Sequence, residues 1–93
     1  MLINQIIQLL NDTLNNLDFP QKEIKVSPSK TPEFGDLSSS LPLMLAKDLN
    51  QNPMDIAKTI QSNMNVDIDL INEITISKPG FINFRISNNY YYN

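Results

Sequence analysis

The sequence predicts an α+β domain, a two-layer sandwich in which two helices, the second interrupted, pack on a small antiparallel sheet in the order α-β-(β)-α-β-β. Three observations predict it. Apolar residues recur at three- and four-residue spacing over residues 2–17 and again from Leu41 to Met64. Near the C-terminus they alternate with polar residues, at Ile74 and Ile76 and then at Ile82, Phe84 and Ile86. Pro79-Gly80 stands between those two runs and makes them a hairpin.

Each element has its own signature. Leu2, Ile3, Ile6, Ile7, Leu10, Leu14 and Leu17 form the stripe of a core-facing helix whose polar side is rich in Asn and Gln, and "NNLDFP" ends it because Pro20 disfavours helical geometry just before it. In "EIKVS", Ile24 and Val26 alternate with Lys25 as in a short half-buried strand. "SPSKTPEFG" reads as a loop, with room for a brief extended pairing near Phe34. "DLSSSLPLMLAKDL" opens the second helix, with Asp36, Ser38, Ser39 and Ser40 as candidate caps, Pro42 in the first turn, and Leu41, Met44, Leu45 and Leu49 facing inward. The helix breaks and restarts at "NQNPMD", with Asn52 as N-cap, Pro53 at the first helical position and Asp55 near the positive helix end.

Bulk composition narrows the function. At 93 residues, with 41% hydrophobic and 18% charged residues, the chain is one small globular domain. It contains no Cys and no His, which removes disulfides, thiolate nucleophiles, imidazole bases and the usual zinc sites. Catalysis by this chain alone is not expected. Neither a signal peptide nor an apolar run of membrane-spanning length is visible, so a soluble, cytoplasmic protein is expected. A net charge of −3 argues against a general basic surface for nucleic acid, and any such contact must be local.

Short motifs offer little chemistry. "SPSK" has a serine-lysine spacing found in some acyl-transfer enzymes, but prolines flank it and no polar partners follow. Asp67, Asp69 and Glu73 lack the glycine-turned loop of a calcium site, and two distant glycines do not cradle a phosphate. The tail "NNYYYN" reads as a frayed end or the start of a linker, giving a domain over 1–88 and a tail over 89–93. More informative is "PGFINFRIS". In a strand, Ile82, Phe84 and Ile86 share the core face, which leaves Phe81, Asn83 and Arg85 together on the wet face. An aromatic ring stacks on bases, an amide can give and accept hydrogen bonds on a base edge, and a guanidinium reaches phosphate. On residue types alone, a second layer, another domain or an edge contact is the better explanation of such a face.

A family resemblance shifts that balance. "EFGDLSSSLPLMLAKDLNQNPMDIAKTIQSN" followed by "ISKPGFINFRI" resembles the N-terminal additional domain of arginyl-tRNA synthetase. Gly35-Asp36, Ala46-Lys47, Asn52-Pro53, Ile56-Ala57 and Pro79 to Phe84 occur in the family's order and spacing. The resemblance implies a two-layer α/β domain that precedes a class I catalytic domain and grips the D-loop corner of the tRNA for arginine. It implies Phe81 and Asn83 as contacts to an unpaired D-loop base. Lys78 and Arg85 are added as backbone contacts from their position and charge alone.

The ATP-binding HIGH and KMSKS signatures of a class I synthetase do not occur in these 93 residues. No cofactor is therefore expected in this chain, while ATP and Mg are implied for the parent enzyme, an arginine-tRNA ligase. The start at Met1 and the polar tail suggest a piece cut from that enzyme. The competing expectation is a protein-interaction domain of the same fold, whose Phe81 face packs on another chain or domain.

Overall fold

The computed structural model describes residues 2–30, 33 and 35–87. Three helices cover one face of a four-stranded antiparallel sheet. The elements run α1 (Leu2–Asn16), β1 (Val26–Pro28), β2 (Leu37–Ser39), α2 (Leu41–Leu49), α3 (Pro53–Asn63), β3 (Ile71–Ser77) and β4 (Phe81–Ile86). Strand order across the sheet is β1-β2-β4-β3, so β4 is an interior strand. A second strand does stand between the first strand and the helix layer, at Leu37–Ser39 rather than near Phe34, and the interrupted helix is two helices.

Helix α1 buries Ile6, Leu10 and Leu14 completely. Its end is set three residues before Pro20 is reached. Asp18 adopts a left-handed φ of 56°, Phe19 N–H donates to Leu14 C=O at 3.0 Å and Asp18 N–H to Asn15 C=O at 3.2 Å. This double bond pattern closes a helix C-terminus, with an apolar residue following it. The same device separates α2 from α3, with Asn50 at φ 51° and Gln51 N–H on Ala46 C=O at 3.2 Å. Asn52 then caps α3, its side chain accepting from Met54 N–H at 2.8 Å, with Pro53 opening the helix as expected.

Two boundaries differ from the sequence reading. The first strand begins at Val26 rather than at residue 23, because only the stretch opposite β2 finds ladder partners; Ile24 is buried without pairing. Pro28 is admissible there because β1 is an edge strand. The larger difference lies at "DLSSS", expected at a helix start. Leu37–Ser39 instead form β2, because a vacant position between β1 and β4 satisfies their backbone groups on both sides. Leu37 and Ser39 point into the core while Ser38 points out.

The capping roles change accordingly. Asp36 sends its carboxylate to Ile86 N–H at 2.8 Å. Ser39 Oγ accepts from Leu41 N–H at 3.2 Å, and Ser40, at the N-cap position, makes no side-chain cap bond. Pro42 does lie in the first turn of α2.

The core is a single cluster, with Phe84, Ile82 and Ile86 of β4 against Leu41, Leu45, Ile56 and Ile60 of the helix layer. A residue count mismatch at Ile71/Glu73 bulges β3 near its start. Gln61 Nε2 ties α3 to the sheet through Ile74 C=O at 2.8 Å. The supposed pairing near Phe34 and the tyrosine tail lie outside the described residues.

Candidate nucleic-acid interface

The face of the sheet turned away from the helices follows from strand register. Ser27 of β1 stands opposite Ser38 of β2, Ser38 opposite Asn83 of β4, and Asn83 opposite Thr75 of β3. A row of short polar side chains therefore crosses all four strands. One step along, Ser77 faces Phe81. A large ring beside so many small side chains leaves a hollow on the sheet, a groove of about 330 Å³.

Phe81 and Asn83 line this groove with Ser38 and Ser77, and Lys78 and Lys30 stand along it with Ser27 and Pro28. Phe81 is half-buried. Asn83 is 2% exposed, which corrects the expectation of a freely wet side chain. A short side chain in an interior strand is hemmed in by its neighbours on both flanking strands. Its Nδ2 donates to Ser77 Oγ at 3.1 Å, which orients the amide within the groove.

The parity of the strand is as expected, but the structure does not bring all of its outward residues together. Arg85 lies roughly 13 Å along β4 from Phe81 at the usual rise per residue. It is not part of the groove lining. Its Nη2 donates to Glu33 C=O at 3.0 Å, and its Nε lies 3.7 Å from the carboxylate of Glu73 directly opposite on β3. Lys78, exposed in the β3–β4 turn before a cis Lys78–Pro79 peptide, does border the groove.

Five lining residues were not assigned to the site from sequence: Ser27, Pro28, Lys30, Ser38 and Ser77. The alternation in "EIKVS" contained a signal for Ser27, which falls on the outward side next to inward Val26. Ser38 could not be found that way, because its strand was read as helix.

Charge distinguishes the groove from the rest of the molecule. The chain has ten Asp and Glu against seven Lys and Arg, yet among the described residues the groove is lined by two lysines and no carboxylate. Neither lysine belongs to the two ion pairs, Lys22–Asp48 and Arg85–Glu73, found among the described residues. A second hollow of about 420 Å³, beside α1, carries Asp12 and several asparagines with no cation, and offers a polyanion nothing.

Among the described residues no three His, Cys, Asp or Glu side chains gather to hold a metal ion. Both glycines are committed to packing, where a Cβ would meet Phe84 O at 2.8 Å or Pro53 Cβ at 2.6 Å. No described helix is long and apolar enough to cross a membrane.

Comparison with known proteins follows the same line. A family model described as the arginyl tRNA synthetase N terminal domain matches residues 4–86. The arginine–tRNA ligase of Mycoplasma mobile is 40% identical over 86 residues, covering 92% of this chain and 16% of that protein. That of Thermotoga maritima is 38% identical over 88 residues, covering 95% and 16%. The structure of Thermus thermophilus arginyl-tRNA synthetase superposes with a TM-score of 0.82 at 24% identity, over 94% of this chain and 14% of that one. The Plasmodium falciparum enzyme gives 0.79 at 23% identity, over 95% and 16%. At these identities the two structures speak to fold alone, and the chain spans only 16% of the length of the two curated relatives.

Proposed function

The chain belongs to the arginyl-tRNA synthetase N-terminal domain family; from that premise we propose that it is the tRNA-recognition module of an arginine-tRNA ligase, orienting the tRNA for arginine through its D-loop corner. The observation that carries the proposal is the groove in which Phe81 and Asn83 lie together beside Lys78, on the sheet face opposite the core residues Ile82, Phe84 and Ile86. An unpaired base stacks on the Phe81 ring, at about 1–3 kcal/mol for such contacts. Asn83, held by Ser77, meets the base edge. Lys78 takes a neighbouring phosphate. Arg85, already engaged by Glu33 and Glu73, gives a backbone contact at the far end of the strand by exchanging those partners.

Chemistry belongs to the rest of the enzyme. Its catalytic domain would attach arginine with ATP and magnesium, and this module would raise kcat/KM by fixing where the distant acceptor end sits. One stacked base and a few phosphates make a weak complex, so the isolated chain should bind weakly and best at low salt.

The test is an NMR titration of the labelled chain with the tRNA for arginine at low salt. Shifts centred on the backbone amides of Phe81 to Arg85, together with the Asn83 side-chain amide, are expected. Shifts confined to the α1 surface, or saturable shifts equal for an unrelated tRNA and for one lacking its D-loop, would refute base recognition at this groove. They would favour instead a protein partner for the Phe81 face.

A further inference from the structure

We propose that Lys30 is a further tRNA-binding residue, a second cation that closes the groove at the corner opposite Lys78, so that the two lysines hold phosphates on either side of the base stacked on Phe81. The proposal rests on the groove being the RNA site. Lys30 follows β1, one edge of the sheet, while Lys78 follows β3, the other edge. The two outer strands lie about 14 Å apart, three strand spacings. They also approach from opposite ends, because Lys78 comes just past the Ser77–Phe81 row and Lys30 lies beyond the Pro28–Leu37 row. Both nevertheless line one hollow. The groove therefore runs diagonally, from Lys78 past Phe81 and Asn83 to Ser38, Ser27 and Lys30.

A strand of RNA laid along that diagonal meets a cation, a ring with an amide, then hydroxyls and a second cation. Serine hydroxyls are neutral and small, so they admit the sugar-phosphate backbone without repelling it. Among the described residues no carboxylate lines the groove to compete for Lys30, in a chain whose acidic residues outnumber its basic ones. An exposed lysine outside the described ion pairs is placed to exchange condensed counterions for phosphate.

The experiment measures binding of the 93-residue chain to the tRNA for arginine by fluorescence anisotropy from 50 to 200 mM salt. The variants are Lys30→Gln, Phe81→Ala and Lys58→Gln, the last on the exposed side of α3. Losing one phosphate contact lowers the log–log salt slope by about 0.7–0.9, and weakens binding about 8- to 15-fold at 50 mM and about 3- to 4-fold at 200 mM. Lys30→Gln should do both and Lys58→Gln neither, with melting temperatures unchanged. If Phe81→Ala weakens binding while Lys30→Gln keeps the wild-type slope and affinity, the role of Lys30 is overturned and the groove keeps its function. If neither Phe81→Ala nor Lys30→Gln alters binding, or the chain binds no tRNA even at 50 mM salt, both proposals fall.

Discussion

Two phenylalanines three residues apart on β4 should separate stability from binding. Phe84 is fully buried, with Leu37 and Ile74 opposite it on the flanking strands and the helix layer beneath. Truncation to alanine removes the largest side chain of the core and leaves a cavity, at a cost of about 3–5 kcal/mol. A domain of this size has roughly 5–14 kcal/mol of stability in all. The loss corresponds to a fall in Tm of at least about 12 °C, since each kcal/mol moves the midpoint of so small a domain by about 4–8 °C. Phe81, on the opposite face and half-buried, has much of its ring in water already. Its truncation should cost about 1 kcal/mol of stability, a fraction of the value for full burial. The same change removes the stacking platform and should raise the Kd for tRNA about 5- to 150-fold, from about 1–3 kcal/mol per stacked base. Thermal and urea unfolding followed by circular dichroism measure the first effect, and anisotropy at fixed salt the second. If Phe81→Ala unfolded the chain while Phe84→Ala left a folded protein with impaired binding, the assignment of the two faces would be reversed and the groove would not be the site.

Three further outcomes follow from local geometry. Asn83→Asp keeps the shape of the side chain but replaces the donor to Ser77 with a second acceptor and sets a negative charge in the groove; tRNA binding should weaken by about tenfold or more, as phosphate repulsion adds to the lost base-edge donor, and an unchanged Kd by anisotropy would count against Asn83 as a contact. Asp36→Ala strips the part-buried Ile86 N–H of its acceptor and should cost about 1–3 kcal/mol in urea unfolding, whereas Asp36→Asn, which retains an oxygen there, should cost less. Asn52→Ala removes the N-cap of α3 and should lower Tm by about 4–8 °C, near 1 kcal/mol, without altering tRNA binding.

What could be read from sequence depended on whether the cause was local. The stripes of α1 and α3, the cap at Asn52, and the Pro79-Gly80 hairpin arise from periodicity and turn chemistry within a few residues, and the structure contains them, except that Ile3 of the α1 stripe is exposed. Strand β2 does not arise that way. "LSSS" carries capping residues, and only its placement between two strands distant in sequence makes it extended. The face of β4 was legible from alternation, but the burial of Asn83 was not, because it depends on Ser38 and Thr75 standing beside it. Arg85 shows the same limit. Its parity is right, and its engagement by Glu33, 52 residues away in the chain, is invisible to any local pattern.

Gly35-Asp36 and Asn52-Pro53, two of the pairs that carry the family resemblance, do not line the groove; they act at the two ends of β4. At its far end, Gly35 passes so close that a Cβ would lie 2.8 Å from Phe84 O, at a φ of 143° that suits glycine. The next residue, Asp36, donates its N–H to that same Phe84 oxygen at 2.8 Å and accepts from Ile86 N–H at 2.8 Å. At the near end Gly80 is buried against Pro53 and Leu43, so the Asn52-Pro53 restart of the helix layer supports the hairpin turn. Gly35-Asp36 and Asn52-Pro53 are therefore separated in sequence but act on one strand. Clamping β4 at each end fixes the backbone from Phe81 to Asn83, and hence the angle between ring and amide, before any ligand arrives. Under the proposed function, in which one base is read through two side chains, such preorganisation adds affinity, because little freedom is lost on binding. It follows that substitutions at Gly35 or Gly80 should impair recognition without touching the groove, through the geometry of the strand they hold.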